Sequence, residues 1–196
     1  MNLRNHKKIL IVDGAVGFTG GMNISADHCP SLTADDPILD VHFQVEGPVL
    51  AQMEEDFLED WNFATDENVL RSAGAAPAEI KGTVSARGIS DGPDEDFENL
   101  RWVIHAAVSN ARKRIRISTP YFLPDQSLIM ALNIAALSGV RVDILIPQDG
   151  NLLVWWASQA KFWQLLERGC RIYVSPPPFD HSKLIVIDGE WSLIGS

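Results

Sequence analysis

Residues 181–189 read HSKLIVIDG, a short apolar run with a histidine and a lysine at one end and Asp-Gly at the other. Residues 6–14 read HKKILIVDG and repeat this arrangement. Each copy is followed by one more glycine at the same offset. The matched positions are His6, Lys8, Asp13, Gly14 and Gly20 in the first copy, and His181, Lys183, Asp188, Gly189 and Gly195 in the second. The pattern His-x-Lys-x4-Asp-Gly-x5-Gly therefore occurs twice, and it indicates two copies of one structural unit.

The residue types of the repeat point to chemistry on a phosphate group. Positions two apart on a strand share one face, so each copy presents an imidazole beside an ammonium. An imidazole can act as nucleophile, acid or base near neutral pH, and an ammonium stabilises a phosphate and its transition state. A lone histidine on a strand usually packs, and a lone Asp-Gly usually forms a turn. The recurrence of the whole set favours a function, with both pairs gathered around a pseudo-twofold axis and no metal required.

Composition limits the classes of protein that fit. The chain has 196 residues, 46% of them hydrophobic, as expected of a globular protein with a core. Its formal net charge of −10 argues against a nucleic-acid partner. Cys29 and Cys170 show no CxxC spacing and are predicted to be reduced thiols. No apolar run is long enough to span a bilayer. The motif begins close to residue 1 and the second copy stops at Ser196, so we expect a fragment of a longer protein.

The predicted elements alternate between strands and helices. Strands are predicted at 6–13, 16–18, 39–47, 114–119, 140–147, 182–188 and 191–194, at CRIYV, and near Val84; helices are predicted after Pro48, over about 94–112, 126–138 and 154–168. This order predicts an α/β fold with a mostly parallel sheet flanked by helices. Residues 1–70 form the first predicted lobe, 71–93 a linker and 94–196 the second lobe.

The doubled His-x-Lys-x4-Asp resembles the signature of the phospholipase D superfamily. Four stretches, NHKKILIVDG-AVGFTGGMNIS, VEGPVLAQMEEDFLEDW, TPYFLPDQSL and FDHSKLIVIDG, are most similar to its bacterial cardiolipin synthase branch. The resemblance implies a phospholipase D-like fold. This chain would hold one nearly complete lobe and the end of another.

The resemblance also implies roles for individual residues. His6 would attack phosphorus and form a phosphohistidine, and His181 would act as general acid and base, although the sequence leaves the order of the two open. Lys8, Lys183 and Asn23 would hold phosphate oxygens. Asp13 and Asp188 belong to the catalytic signature, and their distance from the histidines favours structural support or a salt bridge.

For the cardiolipin synthase branch, the implied reaction converts two phosphatidylglycerol molecules into cardiolipin and glycerol, without a cofactor. The implied partner is a membrane surface at the cytoplasmic face of a bacterial cell membrane, with anchoring segments outside this chain. The alternatives are another phosphodiesterase of the superfamily, such as a nuclease or a hydrolytic phospholipase, and an inactive lobe that binds lipid. The sequence leaves the oligomeric state open.

Several other residues are candidates on weaker grounds. Tyr121 and Phe122 follow a predicted strand, where α/β sheets place ligands, and are predicted to border the substrate. The segment 151–166 carries three tryptophans and could touch a membrane, although packing on the sheet is favoured. His28 adjoins Cys29, but no other ligand spacing lies near, so the sequence does not predict a metal there. His42 and His105 are interpreted as ordinary core or surface residues.

Overall fold

A computed structural model describes residues 5–29, 31–32, 37–70, 79–90, 98–148 and 152–195. For residues 152–155 and 157 it describes the backbone alone. The chain divides into two compact units. The first comprises Met1–Gly20, His42–Asn99 and Ser196, and the second comprises Gly21–Val41 and Leu100–Gly195. The lobe limits predicted from the sequence stay a prediction. In the structure, Gly21–Val41 belong to the second unit.

The first unit contains a three-stranded antiparallel sheet and one helix. Its strands are β1 (Ile9–Val12), β2 (Val16–Gly20) and β3 (His42–Val45), in that order across the sheet. Helix α1 (Val49–Thr65) lies against β1 and β2 and buries Leu50 and Met53. The first motif copy is therefore a hairpin backed by a helix.

Both Asp-Gly pairs form the predicted hairpin turns. Asp13 and Gly14 have φ values of 53° and 63°, and Asp188 and Gly189 have 57° and 78°. In each hairpin these two left-handed residues and one further residue join the strands, between the pairs Val12–Val16 and Ile187–Trp191. Asp-Gly tolerates a left-handed backbone well. The two copies of the sequence repeat thus share one local structure.

The second unit is built on a five-stranded sheet of order β6-β5-β4-β7-β8. The elements are α2 (Asn99–Asn110), β4 (Arg114–Ser118), α3 (Gln126–Leu137), β5 (Arg141–Pro147), α4 (Leu152–Leu166), β6 (Arg171–Ser175), β7 (Leu184–Ile187) and β8 (Trp191–Ile194). Strands β4, β5 and β6 are parallel, whereas β7 pairs antiparallel with β4 and with β8. The α/β class is confirmed, but the sheet is mixed rather than mostly parallel.

The core of the second unit lies between this sheet and helices α2, α3 and α4. Apolar side chains from β4 and β5 alternate into it, as a strand period of two requires. Its most buried large side chains are Val108, Ile115, Ile129, Leu132, Val142, Ile144 and Leu165. This packing holds the strands that lead into the second motif.

Most predicted elements are confirmed within two or three residues, and three details differ. Residues 79–90 contain no strand, and Val84 is 89% exposed, so the strand predicted there is wrong. The start predicted for α2, at residue 94, lies outside the described residues. The motif histidines and lysines precede β1 and β7 instead of lying within them. No helix in the described ranges is long and apolar enough to cross a membrane.

Candidate active site

His181 lies three residues before β7, where Leu39 runs beside it. The His181 backbone N–H donates to the Leu39 carbonyl at 2.7 Å, and the Leu39 N–H donates to the Phe179 carbonyl at 2.8 Å. These two bonds form a short parallel bridge between Leu39 and Asp180. The backbone of the second motif histidine is therefore fixed by residues that lie far earlier in the chain.

The side chain of Asp40, which follows Leu39 in the sequence, reaches the imidazole ring of His181. His181 Nδ1 lies 2.9 Å from Asp40 Oδ2, and the two side chains are 17% and 1% exposed. An ionised carboxylate can only accept, so Nδ1 carries the proton of this hydrogen bond. Nε2 is then the nitrogen that can exchange a proton with a substrate or attack it with its lone pair.

The carboxylate of Asp40 is hydrogen-bonded to backbone on one side and lies close to the backbone of Gly21 on the other. Its Oδ1 accepts the N–H of Val41 at 2.7 Å. On the other side it lies so near Gly21 that a Cβ at that position would stand 2.7 Å from Asp40 Cγ. Residue 21 must therefore be glycine for Asp40 to keep this position.

Lys183 places its ammonium beside the same ring. Its Nζ lies 3.1 Å from His181 Nδ1 and 3.2 Å from Nε2, and it donates to the His181 carbonyl at 3.1 Å. Gly195, the last glycine of the repeat, donates its N–H to the Lys183 carbonyl at 2.9 Å. An anion approaching Nε2 would therefore meet a fixed positive charge.

The first copy repeats one of these contacts. Lys8 Nζ donates to the carbonyl of His6, as Lys183 does to His181. The intervening Lys7 forms ion pairs with Asp56 and Asp60 of α1, at 3.5 and 3.1 Å. Partial burial lowers the pKa of Lys7, but the hydrogen bond to Asp60 and the acidic neighbours outweigh it and raise the pKa overall. The side chain of His6 is exposed.

The signature aspartate Asp188 contacts backbone rather than the histidine. Its carboxylate accepts the N–H groups of Arg112, Lys113 and Arg114 at 2.8, 2.8 and 2.7 Å. These bonds, that from Arg114 foremost, hold the pKa of Asp188 below its usual range. These contacts join the start of β4 to the turn after β7, and they favour a structural role for Asp188. Asp13 occupies the matching turn of the first unit.

The remaining predicted site residues lie in different surroundings. Tyr121 is half exposed, and its ring centroid is 6.4 Å from that of His181. The ring centroid of Phe179 is 6.1 Å from that of His181. Phe122 is 5% exposed and belongs to the core, and its contact with a substrate stays a prediction. Asn23 is exposed in the second unit, and its phosphate-binding role stays a prediction.

Sequence reasoning missed Asp40 and the environment of His28. The His28 ring centroid lies 6.0 Å from that of His181, and its Nδ1 lies 3.9 Å from Asp40 Oδ2. Burial lowers the pKa of His28, although Asp40 opposes this effect. Neither residue recurs in the repeat, so the sequence offered no signal for them beyond the acidic start of LDVHFQVEG.

Residues 104–196 match the family model described as the cardiolipin synthase, PLD-like domain. The predicted resemblance to the phospholipase D superfamily is confirmed. Over the whole chain, cardiolipin synthase of Geobacillus thermodenitrificans is 36% identical and cardiolipin synthase 2 of Staphylococcus epidermidis is 34% identical. The chain spans 40% and 41% of the lengths of these two relatives.

Comparison with solved structures supports the phospholipase D-like fold. The phosphatidylserine synthase of Haemophilus influenzae superposes with a TM-score of 0.60 at 17% sequence identity. The match covers 93% of this chain and 52% of that protein. At this identity the likeness concerns the fold alone.

Proposed function

We propose that this chain supplies the reacting histidines and lysines of an enzyme that exchanges the headgroup alcohols of phospholipids through a phosphohistidine. The observation that carries the proposal is the 2.9 Å contact of His181 Nδ1 with buried Asp40, with Lys183 Nζ 3.2 Å from Nε2. A carboxylate on Nδ1 orients the ring, stabilises the imidazolium and leaves Nε2 for proton transfer. A packed structural histidine has no need of this combination.

The proposed reaction has two steps, in which a phosphohistidine forms and then breaks down. A ring nitrogen of His6 attacks phosphorus, the bond from phosphorus to the leaving alcohol oxygen breaks, and His181 Nε2 gives its proton to that oxygen. A second alcohol then attacks phosphorus as its proton passes to His181, and the phosphorus–nitrogen bond to His6 breaks. Lys8 and Lys183 neutralise the non-bridging oxygens. The role of His6 rests on the sequence repeat.

We propose phosphatidylglycerol as both donor and acceptor, giving cardiolipin and glycerol, because the relatives that match this chain are named cardiolipin synthases. A lipid substrate requires access to a membrane surface. Trp156 and Trp163 are exposed on α4, and exposed tryptophans favour the interface between headgroups and acyl chains. We place the reaction at the cytoplasmic face of a bacterial membrane.

The test is to incubate the protein, in its natural full length, with phosphatidylglycerol vesicles and excess chelator, with labelled DNA in a parallel reaction. His6→Ala and His181→Ala should each lower cardiolipin formation by about 10²-fold or more, since each removes a proton-transfer or covalent step. Asp40→Asn should also lower it, because the Nδ1 proton loses its charged acceptor. His105→Gln, on α2 and hydrogen-bonded to Ser127, is the matched control and should leave the rate unchanged.

The other outcomes separate the competing functions. Cleavage of DNA, or release of phosphatidic acid without cardiolipin, would replace the transferase with a hydrolytic phosphodiesterase. Absence of any product from a folded protein would favour a lobe that only binds lipid. Undiminished turnover in His181→Ala would overturn the role of the second motif.

A further inference from the structure

His28 has no part in the reaction proposed above, yet it is buried beside the reacting ring. Its side chain is 3% exposed, and its Nδ1 makes no hydrogen bond with any residue that the structure describes. Burying a polar nitrogen without a partner costs free energy, so buried polar groups are nearly always satisfied. His28 Nδ1 is therefore a nitrogen that could bind a ligand at this position.

Three ligand atoms converge at this point. One ligand atom from each of His28, Asp40 and His181 lies within 4.8 Å of the other two. Two ligands held about 2.0 to 2.1 Å from a tetrahedral Zn²⁺ are about 3.3 Å apart. The separations of Asp40 Oδ2 from the two imidazole nitrogens, 2.9 and 3.9 Å, bracket this value. We propose that these three side chains form a binding site for a divalent cation of the zinc class.

The chemistry of the donor set agrees with this assignment. Two imidazoles and one carboxylate are a common set for Zn²⁺ at sites with three protein ligands and one open position. The carboxylate of Asp40 accepts the Val41 N–H, which orients this ligand in the structure.

Zinc at this site would inhibit the enzyme rather than assist it. To bind metal, His181 must surrender its Nδ1 proton, which moves to Nε2 within the neutral ring. The hydrogen bond to Asp40 is then lost, and Nε2 can no longer accept a proton. This consequence rests on the proposed function, whereas binding of the metal does not.

The nearby ammonium sets a limit on affinity. Lys183 Nζ lies 3.1 Å from His181 Nδ1 and repels a cation bound there. Lys183→Met keeps the length of the side chain and removes its charge. We therefore expect this variant to bind zinc more tightly than the unaltered protein does.

The test measures metal binding directly, after treatment with chelator and dialysis. Zn²⁺ is titrated into the full protein by calorimetry, and Co²⁺ is added separately to record the visible absorption bands of a four-coordinate ion. We expect one tight site. His28→Gln and Asp40→Asn should weaken binding at least about tenfold, and Lys183→Met should strengthen it. His105→Gln is the matched control and should bind as the unaltered protein does.

A second measurement needs no substitution. Nitrogen NMR of the imidazole rings should show zinc shifting His28 and His181 and leaving the other three histidines of this chain unchanged. Equal zinc affinity in His28→Gln, or zinc-induced shifts on other histidines, would overturn the site. If zinc binds as proposed but does not slow cardiolipin formation, the metal site stands and the assigned role of His181 fails.

Discussion

At the scale of single residues, one glycine controls the position of a carboxylate that acts on the site. Gly21 leaves room for Asp40, and Asp40 in turn fixes the proton on His181 Nδ1. A Cβ at residue 21 would overlap the carboxylate of Asp40, whose atoms are its nearest neighbours. The chemistry of His181 thus depends on a residue that carries no functional group.

Gly21→Ala is predicted to lower the activity of the full protein by about tenfold or more, since the general acid loses its oriented partner. The matched control is Gly82→Ala, where a new Cβ would meet no atom within 4 Å. Both variants are assayed for cardiolipin formation and checked by thermal unfolding. Equal activity of the two variants would show that Asp40 does not need its present position.

At the scale of elements, one carboxylate links neighbouring strands of the second unit and another caps a helix. Asp143 on β5 pairs with Arg114 of β4, Arg141 of β5 and Arg171 of β6, at 2.7 to 3.0 Å. Burial raises the pKa of Asp143, but these arginines outweigh it and leave the pKa low. Asp125 caps α3 by accepting the Leu128 N–H, which lowers the pKa of Asp125.

These shifts predict that acid destabilises the second unit. Above the ordinary value of 3.8 the carboxylates are ionised in both states and their stabilisation is complete. Below 3.8 the unfolded chain takes up protons first, so stability falls as the pH falls through the lowered pKa values. Melting temperatures measured between about pH 6 and pH 3 should decline steeply at the acid end.

Substitution separates the contributions to this decline. Asp188→Asn retains a residue suited to the turn but replaces one acceptor oxygen with a donor, so it should lower the melting temperature at neutral pH and flatten the acid decline. Glu79→Gln, in a surface pair with Lys81, is the control and should change neither. An acid decline that is identical in Asp188→Asn would remove Asp188 from the explanation.

At the scale of the whole molecule, the chain leaves the first sheet after β2, contributes Gly21–Val41 to the second unit, and returns for β3. This excursion carries His28, Leu39 and Asp40 to His181. The surroundings of the second motif therefore come from residues that precede β3 in the sequence as well as from residues that follow it. A lobe cut at residue 94 would lack them.

Leu39→Pro is predicted to test this connection. Proline removes the N–H that bonds to the Phe179 carbonyl, at a cost of about 1 to 3 kcal/mol, and shifts the backbone beside Asp40. Leu39→Ala keeps the N–H and removes a half-exposed side chain, so it should retain activity. Comparable activity of the proline and alanine variants would show that the bridge to Asp180 is dispensable.

The local structure and the motif residues were predictable from the sequence, and the partners of His181 were not. The repeat, the Asp-Gly turns and the alternation of strands and helices follow from neighbouring residues, which interact through short-range backbone preferences. The mixed sheet was missed because a run of apolar residues is equally compatible with parallel and antiparallel neighbours. The extra strand at Val84 was wrong because no packed face accompanies it.

The sequence by itself determined the doubled histidine–lysine pattern, its hairpin turns and the α/β class, because each of these is written in residues at most a few positions apart. Only the tertiary structure decided that Asp40 and His28 meet His181. Asp40 and His181 are separated by 141 positions, and no periodicity links them. Their meeting depends on a close approach at Gly21 and on backbone bonds at Leu39, which only the folded chain brings into existence.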